Sequence, residues 1–437
     1  MRDEFDRDLF PGGPKILFIG FGESSHTHAW IDLLRHSEFN VRLFSLPSGV
    51  PPDDWLIKTY VSGGAKGPFD PAFRLSVFSR QQQLTGRVWR HAAARLSLAP
   101  PHVFTLQHAL AKILRSWQPD IVHTLGFDPA AYLYLETRDM AGARGGERPI
   151  GRWVAQARGG PDLAVNWYDP KYTTRIQQVV RACDYFVADN QPNYDFAVRI
   201  GLDMEKLGDP PLGPVPGTGG MSVDELREWW RGSPPSTRGR SIVWPKAYET
   251  ASAKALPVFE AIKLAWERIK PCEIHMLWLV QAEVKSWFHK MMPDEVQAAS
   301  RLYDRLPREQ ALDLMRQARV LLAPSLTDGV PNSMLEAMSL GAFPIVSPLD
   351  TITPVVEAET NVLFARNLYP DEIAAALVRA MTDDGLVDSA ARANLALARK
   401  LVDRGSIGHR VIAFYERIIG HRGAARELDA IELRPAR

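Results

Sequence analysis

Ala323-Pro-Ser-Leu-Thr-Asp-Gly-Val-Pro-Asn-Ser-Met-Leu-Glu-Ala-Met-Ser-Leu-Gly-Ala-Phe-Pro-Ile-Val-Ser347 places a strand end, a glycine-containing loop, a helix and a second strand in immediate succession. The run Val320-Leu-Leu-Ala323 that leads into it is short, apolar and bounded by turn residues, which reads as a buried strand. Asp328-Gly329 makes a turn, and the helix expected over 333–340 stops at Gly341 before the strand 343–346. Strand, helix and strand in this order belong to a parallel sheet. In such sheets ligands sit beyond the carboxyl ends of the strands, where a helix N-terminus offers unpaired amides and a favourable dipole for phosphate. The amides of Asn332, Ser333 and Met334 are the candidates, with Gly329 in the loop before them. Asp328 stands at the loop mouth and Glu336 eight residues on, inside the helix. A carboxylate accepts two hydrogen bonds at once, which matches vicinal hydroxyls of a ribose or a hexose, so the spacing suits a sugar nucleotide.

Working outward, the same alternation recurs on both sides. Downstream of a proline- and glycine-rich stretch at 208–220, strands are expected at 241–244, 273–280, 320–323 and 343–346. Helices are expected at 223–230, 256–269, 310–318 and 371–381. Upstream, Lys15-Ile-Leu-Phe-Ile-Gly-Phe-Gly22 runs into a helix start at Ser24, and further strands fall at 41–46, 120–125, 153–157 and 185–189. Helices at 106–117 and 173–182 fill the intervals. The reading is an α/β chain of two Rossmann-like domains, 1–212 and 213–407, because proline and glycine at 208–220 exclude a helix or a central strand there. A length of 437 residues fits two such domains of roughly 200 residues each.

Composition excludes several classes. A formal net charge of +1 gives no global pull toward nucleic acid, so no nucleic-acid partner is expected. Two cysteines, Cys183 and Cys272, lie in different halves without metal-like spacing. No stretch approaches the ~20 apolar residues of a membrane span, and the charged leader MRDEFDRDLFPGG lacks the apolar core of a signal peptide. A cytoplasmic protein is expected. Asp6-Arg-Asp8 has the form of a metal-binding DxD motif but lies in that leader, which is expected to be disordered.

The segment 323–347 resembles the retaining family-4 glycosyltransferases of GT-B fold, whose signature is E-x7-E within PSxxEGxxNxxLEAMAxGxPVV. Here it stands in the form DGxPNSxLEAM. The resemblance implies two Rossmann-like domains facing across a cleft, an acceptor-binding N-terminal one and a donor-binding C-terminal one. It implies a crossover helix at 408–420 that packs back on the first domain, with a polar tail at 421–437. By position it gives Glu336 the nucleotide ribose and Asp328, a departure from the usual Glu, the donor sugar. Lys246 and Lys254, in WPKAYETASAKA after the strand 241–244, stand where the family places two basic residues that neutralise the departing diphosphate. No metal and no cofactor are then required. Gly20-Phe-Gly22 resembles the family's glycine-rich loop, with Gly20 and Gly22 covering the diphosphate, and Ser25-His-Thr-His-Ala-Trp30 resembles the first-helix start of some members. Arg158, in Ala157-Arg-Gly-Gly-Pro-Asp162, stands near a histidine that many members use to contact the transferred sugar, with Asp162 as its acidic partner. His123 ends a buried strand, where it reads either as facing the cleft or as a structural imidazole.

The implied activity is transfer of a sugar from a nucleotide-diphosphate sugar to a hydroxyl, with retention at the anomeric carbon. The acceptor would be a saccharide, a lipid-linked molecule or a small molecule, in surface polysaccharide, glycolipid or natural-product glycosylation. Between Phe73 and Leu96, arginines 74, 80, 87, 90 and 95 occur with Phe78, Val88 and Trp89 and no acidic residue, which reads as a solvated basic helix, as a wall of the acceptor site, or as a face fit for peripheral contact with anionic lipid at the inner side of a membrane. The rival from another class is a nucleotide-sugar-binding relative without turnover, since fold alone does not establish function. A dinucleotide dehydrogenase is disfavoured, because Gly20-Phe-Gly22 lacks the third glycine at the proper offset and no acidic residue ends the second strand.

Overall fold

Short apolar runs alternating with amphipathic helices can bury both faces only as parallel sheets covered by helices. The computed structural model has that form and describes residues 2–47, 49–63, 69–78, 105–142, 151–159, 161–230 and 232–432. The chain divides into two compact units, Met1–Gly219 with Ser406–Arg437, and Gly220–Gly405.

The first unit is built on β1 (Lys15–Gly20), β2 (Asn40–Ser45), β3 (Lys58–Val61), β4 (Arg74–Ser76), β5 (Ile121–Leu125), β6 (Arg152–Ala157) and β7 (Tyr185–Ala188). They lie in the order β4-β3-β2-β1-β5-β6-β7, all parallel, with Ile16 level with Val41 on one side and Ile121 on the other. Strand order reverses between β1 and β5, which is where such a sheet opens a crevice. Helix Leu106–Trp117 starts on Thr105, whose hydroxyl accepts from the His108 amide, and helix Pro170–Ala182 starts on Asp169 with proline in its first turn. That cap moves the second helix start ahead of the expected residue 173.

Several expectations are corrected here. Residues 2–6 form a short helix whose Phe5 is fully buried. Asp8 accepts from Trp117 Nε1 at 2.9 Å and pairs with Lys15 and the buried Arg42 at 3.0 Å each. The Arg42 guanidinium lies 4.4 Å over the Trp117 ring, so the leader is held by charge and aromatic packing rather than disordered. Arg74 is buried in β4 and donates to the carbonyls of Ile57, Phe73, Pro52 and Trp55, which removes it from any basic outer face. Residues 79–104, which carry the rest of the expected lipid-facing stretch, lie outside the described residues. His123 does not face outward: it is fully buried, its Nδ1 2.5 Å from the Tyr415 hydroxyl, which also accepts from Trp30 Nε1 at 3.0 Å. Tyr415 belongs to the C-terminal helix, Arg404–Glu432. That helix continues past residue 420 through a run rich in Ala, Arg, Glu and Leu, so residues 421–432 are helical and not a frayed tail.

The second unit carries β8 (Ser241–Trp244), β9 (Glu273–Met276), β10 (Ser300–Leu302), β11 (Val320–Ala323), β12 (Phe343–Val346) and β13 (Leu363–Phe364), in the order β10-β9-β8-β11-β12-β13. All pairings are parallel. Helices Ala255–Ile269 and Pro370–Thr382 pack one face through Phe259, Ile262, Leu377 and Met381, and helix Asn332–Leu340 packs the other through Met334, Leu335 and Met338. β9 ends at Met276, short of the expected residue 280, because Trp278 leaves the extended region with φ +61°. The switch point of this sheet lies between β8 and β11.

Candidate functional site

The loops that follow β8 and β11, residues 245–254 and 324–331, leave the carboxyl edge on either side of that switch point. Backbone and side-chain bonds lock them together. The amide of Leu326 donates to the Ser252 carbonyl at 2.7 Å. Asn367, buried, accepts from the Lys254 amide at 2.8 Å and donates to the carbonyls of Lys254 and Pro324 at 3.2 Å each. Ser347 at the end of β12 accepts from the Ser325 amide and donates to the Ala365 carbonyl, both at 3.0 Å. Four segments distant in sequence therefore form one fixed rim.

Within it the structure joins two of the predicted residues directly: Lys246 Nζ forms an ion pair with Asp328 Oδ2. The Asp328 carbonyl accepts from Thr351 Oγ1 at 2.9 Å, which fixes the loop beside the buried Gly329. Lys254 instead pairs with Glu249 at 3.0 Å, while the other Glu249 oxygen caps the helix Ala255–Ile269 at the Ala255 amide, 2.9 Å away. Glu336 is buried in the first turns of its helix and takes Arg308 Nε at 3.0 Å and a terminal guanidinium nitrogen at 2.8 Å, both on Oε1. Burial raises the pKa of the Glu336 carboxyl above its usual range, and Arg308 pulls it part of the way back.

The helix Asn332–Leu340 has Pro331 as its N-cap and no side-chain cap. The Met334 amide turns inward to the Pro331 carbonyl at 3.0 Å, so Met334 leaves the expected phosphate-binding set and the amides of Asn332 and Ser333 remain. Around them Ser325 Oγ, Asn332 Oδ1 and Ser333 Oγ are buried with no hydrogen-bond partner among the described residues. Buried polar atoms are ordinarily satisfied, so three orphans on one rim point to a polar group that completes them. Arg308, Glu249 and Asn367 were not anticipated: Arg308 and Asn367 act across 28 and more residues of sequence, and Glu249, although close to Lys254 in the chain, carries no motif of its own.

In the first unit, Gly20 ends β1 and Gly22 follows it. A Cβ on Gly22 would lie 2.4 Å from Ser45 Oγ and 2.8 Å from Pro51 Cδ, and one on Gly20 would lie 3.2 Å from Leu125 Cβ. Close packing against Ser45 and Pro51 thus favours glycine at 22, whatever else it contacts, and the fit at Gly20 is tight. His28 Nε2 lies 2.6 Å from the Gly22 carbonyl. Arg158 follows β6 and reaches Gln156 Oε1 at 3.3 Å and the His26 carbonyl at 3.5 Å. Its turn is held by Asp189, which accepts from the Gly159 amide at 2.7 Å. Burial lowers the pKa of His26, and Arg158 adds to the effect. The side chain of Asp162 falls outside the described residues. Lys246, Lys254, Asp328, Gly329, Asn332, Ser333 and Glu336 share the second unit, and Gly20, Gly22 and Arg158 the first.

Residues 254–383 match the protein family described as glycosyl transferases group 1. Comparison with curated proteins gives no match. Among solved structures the chain is similar to Anabaena HepE in complex with UDP-glucose, with 12% identity, a TM-score of 0.62, and coverage of 92% of this chain and 99% of that one. It is similar to sucrose-phosphate synthase from Thermosynechococcus elongatus, with 12% identity, a TM-score of 0.61, and coverage of 93% and 100%. It also resembles S. aureus MnaA bound to UDP, with 12% identity, a TM-score of 0.53, and coverage of 93% and 97%. Likeness over this much of the chain shows the α/β fold of GT-B class, and the stretch similar to glycosyl transferases group 1 covers most of the rim.

Proposed function

We propose that this chain is a glycosyltransferase that holds a nucleotide-diphosphate sugar at the carboxyl edge of the second unit and transfers the sugar to a hydroxyl acceptor. The observation that carries the reading is the rim at the β8–β11 switch point. Two lysines, two carboxylates, two helix-start amides and three unpartnered buried oxygens belong to it, all but Lys246 inside the segment similar to known glycosyl transferases. Glu336, with one oxygen engaged by Arg308, offers the other to vicinal ribose hydroxyls. The amides of Asn332 and Ser333 meet phosphate oxygens. Lys246 and Lys254 stabilise the charge that gathers on the departing diphosphate, and this electrostatic role makes a metal unnecessary. Lys246 has three N–H donors and gives one to Asp328, so it can hold that carboxylate toward the donor sugar and a phosphate oxygen at the same time. Retention follows the resemblance of the motif, and no protein nucleophile or general base is assigned.

The test is a thermal-shift series with UDP-glucose, GDP-mannose and ADP-glucose in EDTA, on the full chain and on Glu336→Ala, followed by release of nucleoside diphosphate with candidate acceptors. Stabilisation by one of the donors that disappears in the variant is the expected result. A wild-type chain that ignores all three, or binds them only when a divalent metal is added, would overturn the reading or its metal-independent form respectively.

A further inference from the structure

Trp278 holds a backbone conformation that bulky side chains avoid, with φ +61°, and leaves 46% of its surface exposed. Strain of this kind persists only where the surroundings impose it, and it gathers at ligand sites. The imposing contacts are clear. Leu277 and Leu279 on either side are buried, the Leu277 amide donates to the Trp244 carbonyl at 2.9 Å, and the Leu279 amide donates to the Tyr303 carbonyl at 3.0 Å. With both neighbours pinned, the indole is turned outward at the carboxyl edge. Over its face, 5.0 Å from the ring centroid, lies the guanidinium of Arg305. Arg305 has no ion-pair partner among the described residues, since its neighbour Asp304 is taken by Lys285 at 2.5 Å.

Two ties connect this pair to the rim already described. The Gln281 side chain accepts from the Glu249 amide at 2.8 Å and donates to the Glu249 carbonyl at 2.9 Å, joining the loop after β9 to the loop that carries Lys246 and Lys254. Arg305 stands three residues before Arg308, the partner of Glu336. The pair therefore stands on segments bonded to, or continuous with, those that carry Glu249 and Arg308.

Resting on the nucleotide-sugar reading above, we infer that Trp278 and Arg305 bind the base of the donor nucleotide and select guanine. The exposed indole supplies a flat stacking face, which any base can use. The guanidinium lying over the same face is a fork of donors with no acceptor, and a base stacked beside it presents its edge to that fork. Guanine offers two adjacent acceptors there, O6 and N7. Adenine pairs an acceptor with a donor at the same edge, and uracil sets a donor between its two carbonyls, so neither satisfies both N–H groups.

Calorimetric titration of the full chain with GDP, ADP and UDP tests this. GDP should bind tighter than either competitor by about tenfold or more, the scale of discrimination expected of a bidentate arginine contact. Arg305→Lys, which keeps charge but not the fork, should bring GDP down to the affinity of ADP while leaving ADP and UDP unchanged. Trp278→Ala should weaken all three by a similar factor, about tenfold on the scale of a lost stacking contact. UDP or ADP binding as well as GDP, with Glu336→Ala abolishing it, overturns the guanine assignment and leaves the donor site standing. Affinities untouched by both substitutions overturn the role of these two residues, and failure of every diphosphate to bind takes down the donor site with it.

Discussion

On the proposed reading Glu336 carries two opposed demands, because a ribose site would need an ionised carboxylate while the helix buries it. Its folded pKa is raised above the ordinary 4.5, chiefly by burial. The sign follows: the folded chain binds this proton more tightly than the unfolded one, so the group favours folding most below pH 4.5 and loses that benefit as pH rises through its raised value. Glu336→Gln keeps the volume and removes the charge. We predict that its Tm equals or exceeds that of the wild type at neutral pH, that the gap closes toward pH 4.5, and that nucleotide-sugar binding is lost. Thermal melts across pH read the first part; a variant that melts lower at neutral pH would show that the bond to Arg308 outweighs desolvation. Lys246 and Asp328 act as a unit, so their substitutions should not add. Lys246→Met is expected to lower kcat by about 10²-fold or more, and Asp328→Asn in that background should cost little further. Fully additive losses would separate the two roles.

At the scale of elements, the C-terminal helix is attached to the first unit through a buried polar triad, His123, Tyr415 and Trp30. Burial, with a smaller contribution from Arg158, holds His123 well below its ordinary 6.5, so the ring is neutral in the fold. The unfolded chain then takes up the proton first, and stability contributed by the neutral ring is present above pH 6.5 and lost as pH falls below it. Tyr415→Phe leaves Trp30 Nε1 and His123 Nδ1 without their shared hydroxyl and should destabilise the fold by about 1–3 kcal/mol. His123→Phe should flatten the acid limb of the stability curve, as chemical denaturation at several pH values would reveal; an unchanged limb would place the acid sensitivity elsewhere. The resemblance implied that this helix packs back on the first unit, but the polar triad that does it was hidden in the sequence. The strands and helices around the switch points were legible, because Val320-Leu-Leu-Ala323 and its counterparts are short apolar runs punctuated by Gly and Pro. Edge strands such as β4 and β13, with three and two residues, are too short for any periodicity. In the site, the motif 323–347 exposed Asp328 and Glu336 but not Arg308 or Asn367. Those partners are fixed by tertiary approach, and an arginine 28 residues away from its glutamate leaves no local trace.

For the whole molecule, two units with separate hydrophobic cores imply that ligand binding is felt unevenly along the chain. A nucleotide that binds the folded second unit stabilises it by mass action, about 2.7 kcal/mol at a hundredfold excess over Kd. Its amides should exchange more slowly in residues 245–254, 277–281, 303–308 and 324–336, the segments that meet on the carboxyl edge of one sheet. Protection by a nucleoside diphosphate confined to these segments would locate the donor site in the second unit. Protection centred instead on Gly20, Gly22 and Arg158 would move it to the first, and would recast the lysines of the second unit as structural partners of Asp328 and Glu249. The distinction matters because Gly22, just after β1, already has a packing reason to be glycine. The orphaned oxygens of Ser325, Asn332 and Ser333 have no such alternative within the described residues, and for that reason the second unit is where protection is expected.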